Sequence, residues 1–404
     1  MSKGEQFSND KGNHFHRYLE YASSILTKFK GEEPFHVYLK KHFSANKKHG
    51  SRDRKIITSL CYNYFRLGFA VSSCSDLNEQ LLLSFFLIEK KHSALLEFFK
   101  PEWNEKISLP LSEKLKLLNC HINLEKIFPF NNELSDEIDV DLFNLSFLIQ
   151  PKLFIRIRPG KESVVLKKLQ SANISFEKIN NFCVAFSNTE KVSEIINIDK
   201  DAVIQDYNSQ RTGHFITSNI KNPAPGFSLW DCCAASGGKS ILAFDLIKNI
   251  ELTVTDTRKS ILENLKARFL KAGIKNYTSF VCDLSISPLP LEIKERPPFD
   301  FIIADVPCSG SGTWSRTPEQ LEYFARGNIE KYASLQQKIV GNAGKFLKSG
   351  GYFLYITCSV FKKENERNVE FIKKEMDFNF IDFRYLKGYE MQADTLFAAL
   401  FQKK

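Results

Sequence analysis

Two apolar, strand-like runs in the C-terminal half of the chain each end in a cysteine motif. Residues 299–304 lead into Asp-Val-Pro-Cys308, and residues 351–354 lead into Thr-Cys358-Ser. In an open parallel α/β sheet, ligands bind outside the carboxyl ends of the strands. Two thiols at that edge, beside Asp305, indicate covalent chemistry because thiolate is the strongest nucleophile among ordinary side chains. Taken alone, either cysteine also fits a buried small hydrophobic residue.

An upstream segment, residues 227–240, reads as a short strand, a turn of small residues and the start of an apolar helix over Ile241–Ile247. Small residues let a ligand approach the backbone, and the helix N-terminus offers free N–H groups. The two common phosphate-binding motifs do not fit this turn. A P-loop needs glycine where Cys233 stands, and the dinucleotide pattern fails because Gly237 and Gly238 are adjacent.

Acidic residues follow the next two strands. Asp256 ends the strand over residues 251–255, where an acid can hold both ribose hydroxyls of a nucleoside. Asp283 ends the strand after that, in a position suited to an adenine amino group. A nucleoside cofactor that lies across successive strand ends, with no phosphate-binding loop, indicates S-adenosylmethionine.

These motifs, in this order and spacing, resemble those of the RsmB/Sun (Fmu) family of RNA cytosine-5 methyltransferases. The resemblance runs from about Lys152 to the C-terminus, and it is carried by Cys-Ala-Ala-Ser-Gly-Gly-Lys239, the Pro-Cys308 motif and the Thr-Cys358 motif. One departure is Ser236, where the family usually has proline. The resemblance implies methylation of carbon 5 of a cytosine in structured RNA, with S-adenosylmethionine as the methyl donor.

The resemblance also implies roles for individual side chains. Cys358 would attack carbon 6 of the ring, Cys308 would help to release the product, and Asp305 would stabilise charge on the ring nitrogen. The residues alone leave the two thiols interchangeable, because DNA cytosine-5 methyltransferases use the Pro-Cys cysteine as the nucleophile. Lys239 would orient the cofactor or the base; alternatively, it is a solvated lysine in a first helical turn. The implied cofactor site comprises Cys233, Ala234, Ala235, Ser236, Gly237, Gly238, Lys239, Asp256, Asp283 and Asp305.

Three domains are expected along the chain. Residues 1–148 have a helical pattern, with Tyr18, Ala22 and Ile25 at helix spacing, and loosely resemble the NusB-like N-terminal domain of the RsmB group. Residues 149–213 alternate strand and helix and resemble a small RRM-like α+β domain, which we expect to shape the RNA groove. Residues 214–404 are expected to form an α/β domain with the seven-stranded, Rossmann-like sheet of class I methyltransferases.

Finer features accompany this division. Ser51 is a plausible N-cap for a helix, and residues 312–319 are expected to form a loop over the target base. The strand over residues 153–158 should be half-buried with Arg156 and Arg158 on one face. Either an RNA-phosphate contact or an ordinary solvated face fits the basic cluster Lys40, Lys41, Lys47, Lys48, Arg52, Arg54 and Lys55.

The composition agrees with an RNA-binding enzyme. Lys and Arg number 56 against 47 Asp and Glu, and the net charge of +9 favours a polyanionic partner. Nine scattered cysteines without a Cys-x-x-Cys pair predict no disulfide framework and no metal site, and four of them are expected to pack in the core: Cys61, Cys74, Cys120 and Cys183. The polar N-terminus and the lack of a long apolar run predict a cytoplasmic protein without a membrane span, and we expect a monomer.

Two other functions stay open at this stage. The first is methylation of another target, either DNA cytosine or an exocyclic amine, although the amine enzymes carry Asp/Asn-Pro-Pro-aromatic where this chain has Asp-Val-Pro-Cys308. The second is a catalytically inactive RNA-binding factor, which would not need both cysteines, Asp305 and the cofactor turn together. For the RNA partner, ribosomal RNA is the first expectation and tRNA the second.

Overall fold

The computed structural model describes residues 3–71, 76–118 and 122–404, with side chains from His14 onward. Within it the chain forms two compact units. The first contains residues 1–132, 139–150 and 314–325, and the second contains residues 133–138, 151–313 and 326–404. Residues 314–325, which the sequence assigned to the methyltransferase domain, thus belong to the helical unit.

The first unit is helical. Its described residues form eight leading α-helices, and a ninth short α-helix, Gln320–Tyr323, comes from the later segment. Helix α1 buries Tyr18, Ala22 and Ile25 along one face, which confirms the helix spacing of these residues. The bounds of the eight are α1 Lys3–Lys28, α2 Phe35–Ala45, α3 Ser51–Arg66, α4 Leu77–Ile88, α5 Ala94–Phe99, α6 Pro101–Asn104, α7 Leu111–Leu117 and α8 Val140–Ser146.

The start of α3 corrects the predicted cap. Ser51 is the first helical residue and Gly50 is the N-cap, because the Asp53 carboxylate accepts the Gly50 N–H at 2.9 Å and thereby satisfies the helix entry. The basic cluster nearby is exposed apart from the half-buried Arg54. Of the cysteines expected to pack, Cys61 and Cys183 are fully buried, whereas Cys74 and Cys120 lie outside the described residues.

A small antiparallel sheet opens the second unit. Its strands are β1 Leu153–Ile157, β2 Glu177–Lys178, β3 Cys183–Phe186 and β4 Ala202–Ile204, in the order β2-β3-β1-β4. Helix α9, Glu162–Ser171, connects β1 to β2 and buries Val165 and Leu169. Between β3 and β4 the chain forms a single 3₁₀ turn, Val192–Glu194.

A seven-stranded sheet forms the rest of this unit, in the order β10-β11-β9-β8-β5-β6-β7. All neighbours are parallel except β11, which is antiparallel to both β9 and β10. The seven-stranded α/β prediction is therefore confirmed. The strands are β5 Ser228–Asp231, β6 Glu251–Asp256, β7 Tyr277–Val281, β8 Phe299–Asp305, β9 Leu347–Thr357, β10 Phe378–Leu386 and β11 Leu396–Lys403.

Helices cover both faces of this sheet, and the inner strands β5, β6, β8, β9 and β11 are mostly buried, whereas the edge strands β7 and β10 are partly exposed. Leu229 and Phe301 enter one core cluster, while their chain neighbours Trp230 and Ile302 enter the other. The remaining helices of the chain are α10 Tyr207–Arg211, α11 Gly213–Asn219, α12 Gly238–Leu246, α13 Lys259–Ala272, α14 Leu291–Lys294, α15 Gln320–Tyr323, α16 Gly327–Ala343 and α17 Glu366–Glu375.

The strand order reverses at β5, which lies between β6 and β8. Loops from the two sides diverge at such a point and leave a crevice at the carboxyl edge of the sheet. Within the described ranges, no helix is both long and apolar enough to cross a membrane.

Candidate active site

An ion pair between a buried lysine and a half-buried aspartate lies where the strand order reverses. Lys239, in the first turn of α12, donates from Nζ to Asp305 Oδ2 at 3.0 Å and to Ser209 Oγ at 2.8 Å. The Lys239 residue is only 9% exposed. The alternative reading of Lys239 as a solvated lysine is therefore wrong, and the structure joins two of the predicted site residues directly.

The two cysteine motifs meet at the same edge of the sheet. Cys308 follows β8 and Cys358 follows β9, and their Sγ atoms lie 3.1 Å apart with both thiols free. A disulfide bond is about 2.05 Å long, so this distance is a non-bonded contact between thiols. The hydrogen bond with Cys358 and the burial of the group raise the pKa of the Cys308 thiol well above its usual value.

The turn between β5 and α12 has the conformation that its small residues predicted. Ala235 has φ 45° and Gly237 has φ 85°, both in the left-handed region. A Cβ on Gly237 would lie 2.8 Å from the Phe269 ring, so this position requires glycine. The N-terminus of α12 follows at Gly238, with unpaired N–H groups typical of a helix start.

Both predicted cofactor acids end their strands, but they differ in their partners. Asp256 Oδ2 accepts the Ala235 N–H at 3.0 Å, and Oδ1 accepts the backbone N–H and Nε of Arg258 at 3.0 and 3.1 Å. Asp283 accepts the N–H and the hydroxyl of Ser285 at 2.8 and 2.6 Å. The carboxylate of Asp256 is thus hydrogen-bonded to the cofactor turn, whereas Asp283 caps a turn of its own.

A buried carboxyl that the sequence did not single out joins the two cysteine loops. Glu364 Oε2 accepts the N–H of Ser309 at 2.9 Å, and Oε1 accepts the hydroxyl of Ser359 at 2.7 Å. These two serines directly follow Cys308 and Cys358. Each oxygen of one carboxyl therefore binds one cysteine loop, and burial raises the pKa of Glu364.

Further neutral groups complete this arrangement. Gln336 Nε2 donates to Glu364 Oε2 at 2.8 Å and to Pro307 O at 3.0 Å. The hydroxyl of Ser311 lies 3.1 Å from that of Ser309 and 3.2 Å from that of Ser359. Such a connected buried network fixes geometry because each polar group lacks a solvent alternative.

Asp231, at the end of β5, is a second ionisable residue that the sequence did not flag. It is fully buried, and its Oδ2 accepts the Ser240 hydroxyl at 2.6 Å. Burial raises its pKa from the usual 3.8 to about 7. A raised pKa of a strand-end carboxyl beside Lys239 and Asp305 is a mark of a functional site.

Several side chains of residues 312–319, the segment expected to cover a target base, are buried. Gly312 lies so close to the backbone that a Cβ would be 2.0 Å from Thr395 O. Trp314 is 1% exposed and Glu319 is 2% exposed, both inside the first unit. These two side chains therefore pack internally and do not present a surface to a base.

The described residues contain no group of three or more His, Cys, Asp or Glu side chains that could hold a metal ion. A nucleoside cofactor, by contrast, fits the residues at the edge of the sheet. The turn over residues 233–238 lacks bulky side chains, α12 offers its N-terminal N–H groups, and Asp256 provides a carboxylate beside them.

Residues 218–397 match the family described as 16S rRNA methyltransferase RsmB/F. Ribosomal RNA small subunit methyltransferase B of Xanthomonas campestris is 26% identical over 184 residues, which are 44% of this chain and 39% of that protein. Human tRNA (cytosine(72)-C(5))-methyltransferase NSUN6 is 30% identical over 164 residues, which are 38% of this chain and 34% of that protein. The matched segments span well under two thirds of either relative.

Solved structures share the fold at low identity. The crystal structure of PH0851 has a TM-score of 0.68 at 18% identity and covers 95% of this chain and 97% of that chain. NSun6 from Pyrococcus horikoshii, solved with the S-adenosylmethionine analogue SFG, has a TM-score of 0.55 at 14% identity and covers 65% and 94%. The chain thus shares the fold of these solved structures, and its residues 218–397 are similar to the RsmB/F methyltransferase family.

Proposed function

We propose that this protein transfers a methyl group from S-adenosylmethionine to carbon 5 of a cytosine in RNA. The observation that carries this proposal is the pair of thiols, Cys308 and Cys358, with Sγ atoms 3.1 Å apart at the carboxyl edge of the sheet. A methyltransferase that acts on an amine has no need of a thiol. Two thiols beside the Lys239–Asp305 pair suit a target carbon that must first be activated by covalent addition.

The chemistry assigns a task to each side chain. S-adenosylmethionine supplies an electrophilic methyl group on a sulfonium. The Cys358 thiolate forms a bond to carbon 6, while Asp305 hydrogen-bonds the ring nitrogen that gains charge. Carbon 5 then takes the methyl group as S-adenosylhomocysteine leaves, and afterwards it passes its proton to a solvent base. The electrons of that C–H bond restore the ring double bond as the bond between sulfur and carbon 6 breaks to regenerate the thiolate. Cys308 assists this last elimination.

The environment of the thiols supports Cys358 as the nucleophile. Two adjacent sulfurs do not both ionise easily, because like charges at this distance repel. The hydrogen bond that the Cys308 thiol donates to Cys358 raises the pKa of Cys308, and burial and the nearby Glu364 carboxyl act in the same direction. One contact acts in the opposite sense: the Cys358 N–H lies 3.3 Å from Cys308 Sγ and favours charge there. A single N–H···S contact is weak, so Cys308 remains the protonated partner.

Cofactor binding is proposed for the turn over residues 233–238, with Asp256 on the ribose hydroxyls and Asp283 near the adenine. Lys239 would hold Asp305 in place through their 3.0 Å ion pair, and thereby orient the group that contacts the base. The neighbour solved with SFG supports an S-adenosylmethionine site in this fold.

Ribosomal RNA is the first candidate substrate, since ribosomal RNA methyltransferases of type B are among the relatives. The likeness to NSUN6 makes tRNA the second candidate. A cytoplasmic monomer remains our prediction for the form that acts on it.

Bisulfite sequencing of total RNA, from a strain that lacks the gene, tests the proposal. We expect one or more 5-methylcytidines to disappear from ribosomal RNA and to return with the wild-type gene but not with Cys358→Ala. Loss confined to tRNA would move the substrate to the second candidate. Unchanged cytosine methylation in all RNA would contradict the proposed function.

A further inference from the structure

Arg156 and Arg158 of the small domain form ion pairs in the protein interior. Arg156, on β1, donates from Nη1 to Asp245 Oδ2 at 2.6 Å, and Arg158 donates from Nη2 to Asp245 Oδ1 at 2.7 Å. All three side chains are nearly buried, with exposures of 6%, 12% and 5%. These guanidinium groups are therefore not free to neutralise RNA phosphates. Asp245 lies near the end of α12, the helix that begins at the cofactor turn.

A second ion pair, between Asp199 of the small domain and Arg268, contacts the cofactor turn. Arg268, on α13, donates to the carboxylate of Asp199 from Nε at 3.0 Å and from Nη2 at 2.8 Å. The remaining nitrogen, Nη1, donates to the Ser236 carbonyl at 2.9 Å and to its hydroxyl at 3.0 Å. One guanidinium thus joins a carboxylate of the small domain to the middle of the cofactor turn.

Asp199 is suited to hold this guanidinium in one orientation. It has φ 68°, its N–H donates to Ala202 O at 2.7 Å, and its side chain is 5% exposed. A planar guanidinium that binds a carboxylate through two nitrogens loses little freedom when it forms a further hydrogen bond. The direction of Nη1 is therefore set by Asp199.

The turn needs such support because its backbone conformation is unfavourable. Ser236 lies between Ala235 and Gly237, which both have positive φ. A left-handed conformation is unfavourable for a non-glycine residue such as Ala235 and persists only where its surroundings hold it. Asp256 holds the Ala235 N–H from one side, and Arg268 holds the Ser236 carbonyl and hydroxyl from the other.

We propose that Arg268, oriented by Asp199, is a positioning residue for the cofactor turn, and that the small domain thereby sets cofactor affinity. The inference rests on the proposed use of S-adenosylmethionine. Arg268 acts through Ser236, not by contact with the reacting atoms. Its loss should raise the dissociation constant and the KM for S-adenosylmethionine while kcat at saturating cofactor stays close to that of the wild type.

The variants are Arg268→Ala, Asp199→Asn and the double variant, with Lys266→Ala as the matched control. Asparagine tolerates positive φ, so Asp199→Asn removes the charge without straining the backbone. Lys266 lies on the same helix and pairs only with the exposed Glu263. Titration of full-length protein with S-adenosylmethionine in a calorimeter should show about tenfold weaker binding for Arg268→Ala, the scale of one charge-assisted hydrogen bond, and no change for the control.

The double variant decides whether Asp199 acts through Arg268. If it does, Asp199→Asn should add no further loss to Arg268→Ala, because coupled residues are not additive. Additive losses, or wild-type affinity in Arg268→Ala, would overturn the proposal. Ser236→Ala keeps the carbonyl contact and is the milder variant should Arg268→Ala fail to fold; it should weaken binding about two- to threefold.

Hydrogen exchange keeps this inference separate from the proposed function. The amides of residues 235–238 should exchange faster in Arg268→Ala than in the wild type, with or without cofactor. A wild-type protein that does not bind S-adenosylmethionine would contradict the proposed function. Faster amide exchange in Arg268→Ala would still support the inference that Arg268 stabilises the turn. Unchanged exchange in Arg268→Ala would overturn the inference whatever the cofactor.

Discussion

The cysteine loops and the cofactor turn share one edge of the sheet but are held in place by different means. The Glu364 carboxyl joins the two cysteine loops, because it accepts the N–H of Ser309 and the hydroxyl of Ser359. The cofactor turn is held by Arg268, which is 32 residues after Ser236 in sequence. Arg268 is in turn held by Asp199, which lies 69 residues before it. Both supports join residues that are far apart in sequence, since Glu364 is 55 residues from Ser309. They differ in their partners: Glu364 bonds serine groups, whereas the cofactor turn is held through the Arg268–Asp199 ion pair.

This difference bears on how each half of the site can change. The Glu364 support consists of hydrogen bonds with Ser309, Ser359 and Gln336. The support of the cofactor turn depends on the Arg268–Asp199 ion pair and on the fold that brings these two residues together. Substitutions at each support should therefore affect different steps, methyl transfer in one case and cofactor binding in the other.

The largest expected effect separates the two thiols. Cys358→Ser should abolish methyl transfer and form no covalent adduct with RNA, because the serine hydroxyl is a far weaker nucleophile than thiolate. Cys308→Ser should still permit attack and methyl transfer, but elimination should stall and leave protein cross-linked to RNA. A denaturing gel of each variant with substrate RNA and S-adenosylmethionine shows the difference. Adduct in the Cys358 variant alone would reverse the assignment.

The next effect concerns the free energy of unfolding and its dependence on the protonation of Asp231. Because the pKa of Asp231 is raised from 3.8 to about 7, the folded protein binds one more proton than the unfolded chain between these values. The free energy of unfolding should fall as pH rises through that window, by up to roughly 4 kcal/mol. Asp231→Asn should remove this part of the pH dependence, measured by urea unfolding at pH 5 and pH 7.5.

The surface variant Asp377→Asn is the control for this experiment, since Asp377 pairs with Lys404 in solvent at 72% exposure. It should keep the wild-type pH dependence. The same slope in wild type and Asp231→Asn would mean that Asp231 is ionised in the folded protein over the whole range.

A smaller effect is expected at Glu364, which joins the two cysteine loops. Glu364→Ala should slow methyl transfer about a hundredfold, the scale of about 2–3 kcal/mol for buried donors left without an acceptor, with unchanged affinity for S-adenosylmethionine. Glu364→Gln should lose less, because its oxygen can accept the Ser309 N–H while its amide donates to Ser359. Single-turnover rates give the effect, and Glu366→Gln, two residues further along the chain at the start of α17, should match the wild type because Glu366 bonds Ser135 and Tyr385 and neither cysteine loop.

The thiols provide a second readout that is independent of methylation. With Sγ atoms 3.1 Å apart, Cys308 and Cys358 should form a disulfide with diamide after only a small movement. Glu364→Ala should slow this reaction, since the two loops lose their shared carboxyl. Equal rates of both reactions in Glu364→Ala and wild type would show that the loops do not need it.

The sequence predicted well what is encoded in consecutive residues. The strands before Asp305 and Cys358, the small-residue turn at Gly237 and the strand-end acid Asp256 were all identifiable, because a strand followed by a loop leaves a continuous signature. Element ends were less certain, as the cap at Gly50 shows, since the preference of Ser51 for a cap was outweighed by the Asp53 hydrogen bond.

Contacts between distant residues were not predictable in this way. Nothing in the sequence links Arg268 to Ser236 or Asp199, because the pairing exists only once α13 packs beside the turn. Trp314 was misread for the same reason. Its segment has the polar composition of a loop, yet its ring packs against Phe128 and Phe324 at centroid distances of 5.5 and 4.9 Å. Glu364 had a local signal, six residues after Cys358, but its burial became apparent only in the fold.

The smallest effect tests the other side of the cofactor turn. Asp256→Ala should weaken S-adenosylmethionine binding by about 1–3 kcal/mol, the scale of a lost charge-assisted hydrogen bond. The loss has two sources, the ribose hydroxyls and the Ala235 N–H that the carboxylate accepts at 3.0 Å. Arg258→Ala is the control, because it removes only a guanidinium that is 62% exposed and leaves the carboxylate on the turn. Asp256→Asn should fall between the two, since an amide oxygen can still accept the Ala235 N–H. Unchanged affinity in a folded Asp256→Ala protein would reduce this acid to a strand-end cap and leave Arg268 as the main support of the turn.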